Sequence, residues 1–216
     1  MRKWYVLNIM AITLCVLLSA IFIILMPDII PAHYNFAGEV DRFGSKYEML
    51  IMTGITVLTA AGLLLSAYTS ERKGKTENLK VLLIITLLTT LFLMGMSVFF
   101  FVKALTYEEG APTGVSMEIM KFVSMMTGIC LVVYGNILPK LRRNSRAGMR
   151  TKWSLSSDVA WQKSQRLAGI AGVICGLILM FGAIFISGIG NIIFMTVVSV
   201  VWIVLSVVAS YRYAKG

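Results

Sequence analysis

The stretch PKLRRNSRAGMRTKWSLSSDVAWQKSQR, residues 139–166, carries eight basic residues against one acidic one and lies between two long apolar segments. Lys and Arg are retained on the cytoplasmic side of inserted helices, so the stretch reads as a cytoplasmic loop of a polytopic membrane protein. Its inner part, GMRTKWSLSSDVAW at 148–161, is more particular than topology alone requires. Two tryptophans, an arginine and several helix-capping serines fall within a dozen or so positions. The loop is therefore one of two places where function is expected.

Working outward, the chain is 58% hydrophobic with a mean hydropathy of +0.83, which leaves too little polar surface to cover a soluble globule of 216 residues. Crossing ~30 Å of hydrocarbon takes about 18 or more uncharged residues as helix. Six runs meet this: Trp4 to Met26, Tyr47 to Tyr68, Val81 to Val102, Ile119 to Leu138, Leu167 to Ser187 and Asn191 to Tyr211. Lys121 falls near the start of the fourth, where it can snorkel. The first run is too long for a signal-peptide core and lacks a small-residue cleavage site before Pro27, so it is expected to remain in the mature protein.

With the N-terminus inside, sixteen of the twenty Lys and Arg residues fall in cytoplasmic parts, leaving Arg42, Lys46, Lys103 and Lys121 outside. The sequence thus predicts an all-α polytopic bundle of six transmembrane helices, N-in and C-in. It would form one integral membrane domain, 1–216, in the bacterial cytoplasmic membrane. The net charge of +10 then reports topology and affinity for anionic membrane lipid, and no direct nucleic-acid binding is expected. Cys15, Cys130 and Cys175 lie in separate spans without a neighbouring His or carboxylate, so no disulfide, lipidation or metal site is expected of them.

The second informative stretch is MPDIIPAHYNFAGEVDRFGSK, residues 26–46, the first extracytoplasmic loop. Pro27 and Pro31 stop the first helix, and Gly38 and Gly44 permit tight turns. His33, the sole histidine, joins Asn35, Glu39 and Asp41 as the densest polar group on that side. His33, Glu39 and Asp41 have spacings that permit a divalent metal; the plainer reading is a hydrogen-bonded, ordered loop that recognises a partner. No cofactor is expected.

No ionisable residue sits in mid-span, where one costs about 2.5–3.5 kcal/mol on insertion scales. Proton-coupled transport and intramembrane proteolysis therefore lack their groups, and no phosphate-binding loop, nucleophile elbow or zinc helix appears. Asn8, Thr86, Thr89, Thr90, Ser124, Thr127 and Ser199 are suited to hydrogen bonds between helices. Ala168, Gly172 and Gly176 recur every four residues, lining one face of the fifth span for close packing within the chain or in a homodimer.

Pro27 to Lys46 resembles an N-terminal region shared by small bacterial membrane proteins and known only as a domain of unknown function. Residues 135–169 resemble the SdpI family, named for an immunity protein that protects sporulating bacilli from a secreted peptide toxin. The second pattern is met by Gly135, Asn136, Leu138, Pro139, Lys140, Gly148, Arg150, Thr151, Trp153, Ser154, Leu155, Ser156, Ser157 and Trp161 in order. On that basis 1–70 carries the first two helices and the outer-loop motif, and 117–216 is the SdpI-like half.

Where the family usually has proline between Thr and Trp, this chain has Lys152. In place of Thr-His-Arg it has Ser164, Gln165 and Arg166, which argues against a titrating imidazole in the loop. The resemblance implies six helices, a peptide toxin as partner on the outer face and a cytosolic repressor as partner on the inner face. Two other readings stay open: a small exporter or lipid-handling protein, and a metal-dependent enzyme built on the outer loop.

Locally, Ser156 suits an N-cap, with Asp158 in the first turn of a helix that runs into the fifth span. Trp153 and Trp161 are then expected at headgroup level, with the arginines meeting anionic lipid. The sharper alternative has Arg150, Trp153 and Trp161 docking a cytosolic partner or plugging a cavity between spans.

Overall fold

The computed structural model describes residues 1–35, 40–74, 76–107, 115–143 and 147–215, with 115–117 as backbone only. Among them are six helices long and apolar enough to cross a membrane, and the chain is a multi-pass membrane protein in contact with lipid. The chain divides into two compact units, Met1–Ile119 and Met120–Gly216.

In the first unit, α1 (Arg2–Leu25), α2 (Leu50–Arg72) and α3 (Leu79–Leu105) pack against one another. Much of their outer surface is apolar and exposed, as at Ile24 and Leu58, and the buried seams are small or hydroxylated: Ala11, Cys15, Ser19, Thr53, Thr56, Ala60, Thr86 and Thr90. Hydrocarbon is as apolar as leucine, so helices in lipid associate through close packing and shared polar groups. Asn8 Nδ2 donates across to the Leu83 carbonyl at 3.0 Å, and the hydroxyls of Ser19 and Thr53 pair at 2.6 Å. The threonines expected to bridge helices do otherwise: Thr86, Thr89 and Thr90 each return their hydroxyl to the carbonyl four residues back. A threonine hydroxyl reaches its own helix without reorganising a neighbour, so it satisfies itself before it crosslinks.

The loop expected between the first two helices contains two strands. α1 ends at Leu25 ahead of Pro27, and β1 (Ile29–Tyr34) pairs antiparallel with β2 (Val40–Ser45), Ile30 opposite Gly44 and His33 opposite Arg42. A 3₁₀ turn, Lys46–Met49, leads into α2. Ile30 is 1% exposed and clusters with Met26, Phe101 and Ala104, so this buried side chain pins the hairpin to its own unit. Lys103 pairs with Glu118 at the far end of α3.

α4 (Val115–Ile137) belongs to the second unit from Met120 onward and ends in a short 3₁₀ turn, Leu138–Lys140; in the same unit α5 (Asp158–Phe185) and α6 (Gly188–Lys215) form an antiparallel pair. Only two residues separate these last helices, a turn that Gly188 permits with φ of +59°. Asn191 is fully buried there, donating to the Ile186 carbonyl at 2.9 Å while accepting from the Ser124 hydroxyl of α4.

Candidate functional site

The helix α5 fixes one side of the 139–166 loop. Its N-cap is Ser157, whose hydroxyl accepts from the Ala160 amide at 3.0 Å, and Asp158 occupies the first turn. The cap expected at Ser156 is thus displaced by one residue. The Ser156 hydroxyl instead donates to the Trp153 carbonyl at 2.6 Å, closing the preceding turn.

Trp161 is 1% exposed, so it does not present its indole to headgroups as expected. Its Nε1 donates to the Leu141 carbonyl at 2.7 Å, drawing the end of the 3₁₀ turn onto α5. One turn further, Gln165, also fully buried, pairs its amide with both backbone groups of Met149: the Met149 amide donates to Oε1 and Nε2 donates to the Met149 carbonyl, each at 2.9 Å. The glutamine side chain thus takes the place of a paired strand for the loop.

Between these anchors lies Gly148, at φ +101°, where only glycine is comfortable. A Cβ there would stand 2.8 Å from Gln165 Oε1 and 3.0 Å from Trp161 Cη2, and the Gly148 amide donates to the Tyr134 hydroxyl at 3.2 Å.

The segment beyond is closed by reciprocal bonds. Thr151 N donates to Ser154 Oγ and Ser154 N to Thr151 Oγ1, both at 2.9 Å, while the Ser154 hydroxyl donates to the Met149 carbonyl at 2.8 Å. Thr151 Oγ1 also meets the Ser210 hydroxyl of α6 at 2.8 Å. Arg143 spans the loop, bonding the Leu155 carbonyl at 3.1 Å and Asp158 at 2.8 Å. What remains outside is a ladder of aromatics and cations: Trp153 meets Tyr211 edge-on at 5.2 Å, Lys152 stands over Trp153 at 5.1 Å, and Lys215 over Tyr211 at 4.4 Å. Arg150 is exposed and, among the described residues, has no ion-pair partner.

The motif residues on α4 serve the packing of α4 on α5. Gly128 and Gly176 oppose each other, as do Gly135 and Gly169; a Cβ on any of the four would come within 2.6 Å of the facing carbonyl oxygen. Pro139 lies against Gly169, while the exposed Asn136 returns its amide to the Val132 carbonyl at 2.8 Å. Gly172 is used within the chain too, between α4 and the Trp202 indole, which donates to the Ala168 carbonyl at 2.9 Å.

The 26–46 hairpin is described by its own unit. His33 Nδ1 lies 2.6 Å from Asp41 Oδ1, both groups being well exposed. Arg42 grips Glu48 with two bonds, at 3.2 and 2.8 Å, and Lys46 pairs with Asp28 at 2.9 Å. Phe43 and Tyr107 form an edge contact, with centroids 5.7 Å apart. Glu39 lies outside the described residues, so its place relative to His33 and Asp41 is not given; among the described residues no group of three metal-ligating side chains occurs. Asn35 lies just beyond the end of β1.

Of the residues singled out by sequence, Gly148, Thr151, Trp153 and Trp161 come together on the loop, and His33 and Asp41 on the hairpin. Gln165, Tyr134, Leu141, Arg143 and Ser210 were missed as functional-site residues. Gln165 carried a signal: it follows Trp161 by four and precedes Ala168 by three, a polar residue on the buried stripe of a helix.

Comparison with known proteins gives matches in two parts of the chain. Residues 140–210 match the SdpI/YfhL protein family, and residues 10–57 match a domain of unknown function, DUF1648. The chain is 26% identical over 227 residues to the Immunity protein SdpI of Bacillus subtilis (strain 168), covering 99% of this chain and 97% of the relative. No solved structure matches. The SdpI/YfhL match thus takes in most of the 139–166 loop and the α5–α6 pair, as the resemblance of the 135–169 motif led one to expect, and the DUF1648 match takes in the hairpin.

Proposed function

We propose that this chain is an immunity membrane protein that protects its own cell against a secreted, membrane-active peptide. The observation that carries the reading is the similarity to an immunity protein along nearly the whole of both chains, which takes in the hairpin and the loop alike. In the topology drawn from the basic residues, the hairpin faces the side from which such a peptide arrives. It offers exposed His33 and Asp41 on a strand pair whose position is fixed by buried Ile30. A presented edge whose exposed polar side chains are already held in place by one another suits recognition, because little ordering entropy is lost on binding.

The loop on the other side is the surface by which peptide arrival would be relayed to a cytosolic repressor. The support is chemical: Arg150, Lys152 and Trp153 of the loop and Tyr211 and Lys215 at the end of α6 set arginine, lysine and aromatic side chains on that side of the unit. Arginine and aromatic side chains are the residue types that dominate protein contact sites.

The test is protection of a sensitive host challenged with the cognate peptide. His33→Ala combined with Asp41→Asn should abolish protection while the protein inserts and accumulates normally, since an exposed pair is worth only about 0–1 kcal/mol of stability. A double variant that protects as well as the parent refutes recognition by the hairpin. One that fails to accumulate makes the pair a structural clasp.

A further inference from the structure

Along one face of the α5–α6 pair, within a single compact unit, runs a groove of about 660 Å³. Its walls are Leu167, Ile170, Ile174 and Leu205, with the small side chains of Ala171 and Cys175 between them, and Lys163, Arg166 and Tyr213 stand at one end. The spacing puts the α5 members on one helical face, and Ile170 and Ile174 remain 54% and 53% exposed.

Three observations define what fits. Lys163 to Cys175 covers about 18 Å of helix rise, close to the ~15 Å depth of one leaflet. The chain is uncharged from Leu167 to Tyr211, so Lys163 and Arg166 are the last cations before the hydrocarbon begins. No carboxylate lines the groove, and among the described residues neither cation has an ion-pair partner; Lys163 Nζ stands 5.9 Å from the Tyr213 ring. A soluble anion has no use for the apolar trough, and a neutral hydrocarbon none for the cations.

We propose that this groove binds an anionic phospholipid, its phosphate on Lys163 and Arg166 and one acyl chain along Ile170, Ala171 and Ile174. The site is separate from the 148–161 knot and does not depend on the immunity reading.

The experiment titrates the purified protein in detergent with phosphatidylglycerol or phosphatidylcholine of matched chains and counts retained lipid by native mass spectrometry. Phosphatidylglycerol should be preferred, and Lys163→Gln with Arg166→Gln should weaken it roughly thirtyfold while leaving phosphatidylcholine unchanged. Ala171→Phe, which fills the trough, should weaken both lipids. Lys140→Gln with Lys152→Gln, basic positions outside the groove, should change neither.

The proposal fails if the outside pair matters as much as Lys163 and Arg166, because attraction is then diffuse. It fails equally if excess inorganic phosphate displaces phosphatidylglycerol, or if folded Ala171→Phe protein retains lipid as the parent does. The Gln pair alters only exposed side chains, so its result stands even where Ala171→Phe does not fold.

Discussion

Replacing Gln165 by leucine keeps the side-chain volume close to the original and removes the one group that holds Met149 from the helix side. Two bonds of 2.9 Å disappear. The Met149 carbonyl keeps a partner, because the Ser154 hydroxyl donates to it at 2.8 Å. The Met149 amide is left with nothing. Orphaning this half-buried donor costs about 1–3 kcal/mol, and loss of the second bond adds ~1 kcal/mol. The local opening of 147–157 should therefore become easier by about 2–4 kcal/mol, with α5 and α6 unaffected. At ~3 kcal/mol, the open population rises roughly a hundredfold. Tryptic cleavage after Arg150 or Lys152 in detergent-solubilised protein, in the regime where reclosure outruns cleavage, should accelerate by that factor. Hydrogen exchange at the same amides should rise in parallel. A change below about threefold would mean that the knot is held by Trp161 and the Thr151–Ser154 bonds alone, and the reasoning would be wrong.

Gly176→Leu should prevent accumulation, since even a Cβ there stands 2.6 Å from the Gly128 carbonyl oxygen, whereas Gly62→Ala, with open space around it, should accumulate normally; immunoblotting of membranes decides. Arg150→Lys with Trp153→Phe should leave accumulation unchanged and impair signalling, because lysine cannot reproduce a bidentate or stacked contact; unchanged signalling refutes a specific site. Single cysteines at positions 145 and 45, in a variant lacking the native cysteines, should label only from inside and only from outside intact cells respectively. Labelling of position 145 from outside overturns the orientation.

The six spans and their order were legible because a bilayer demands uncharged runs of fixed length, and such runs are a property of consecutive residues. The similarity to the SdpI family was legible for a related reason: the 135–169 motif is contiguous, and its residues could be matched in order. The end of α1 before Pro27, and Asp158 in the first turn of α5, depend on neighbours in the chain and were read correctly. Ser156 and Ser157 are adjacent residues of equal capping chemistry, and only the path of the chain into α5 selects the second.

What required the tertiary structure is whatever depends on partners distant in sequence. Composition could place Trp161 and Trp153 in one loop; it could not show that the first is fully buried on the Leu141 carbonyl while the second is half-buried beside Tyr211. The stripe of small residues was visible at Ala168, Gly172 and Gly176, but the opposed glycines at 128 and 176 and at 135 and 169 appear only once two antiparallel helices are brought into register. Gln165 read as a lost histidine and proved to be a backbone clamp. Spans follow from how each residue meets lipid, a one-body property of the sequence; the site is made of pairs, and pairs exist only when the fold has closed the distance between them.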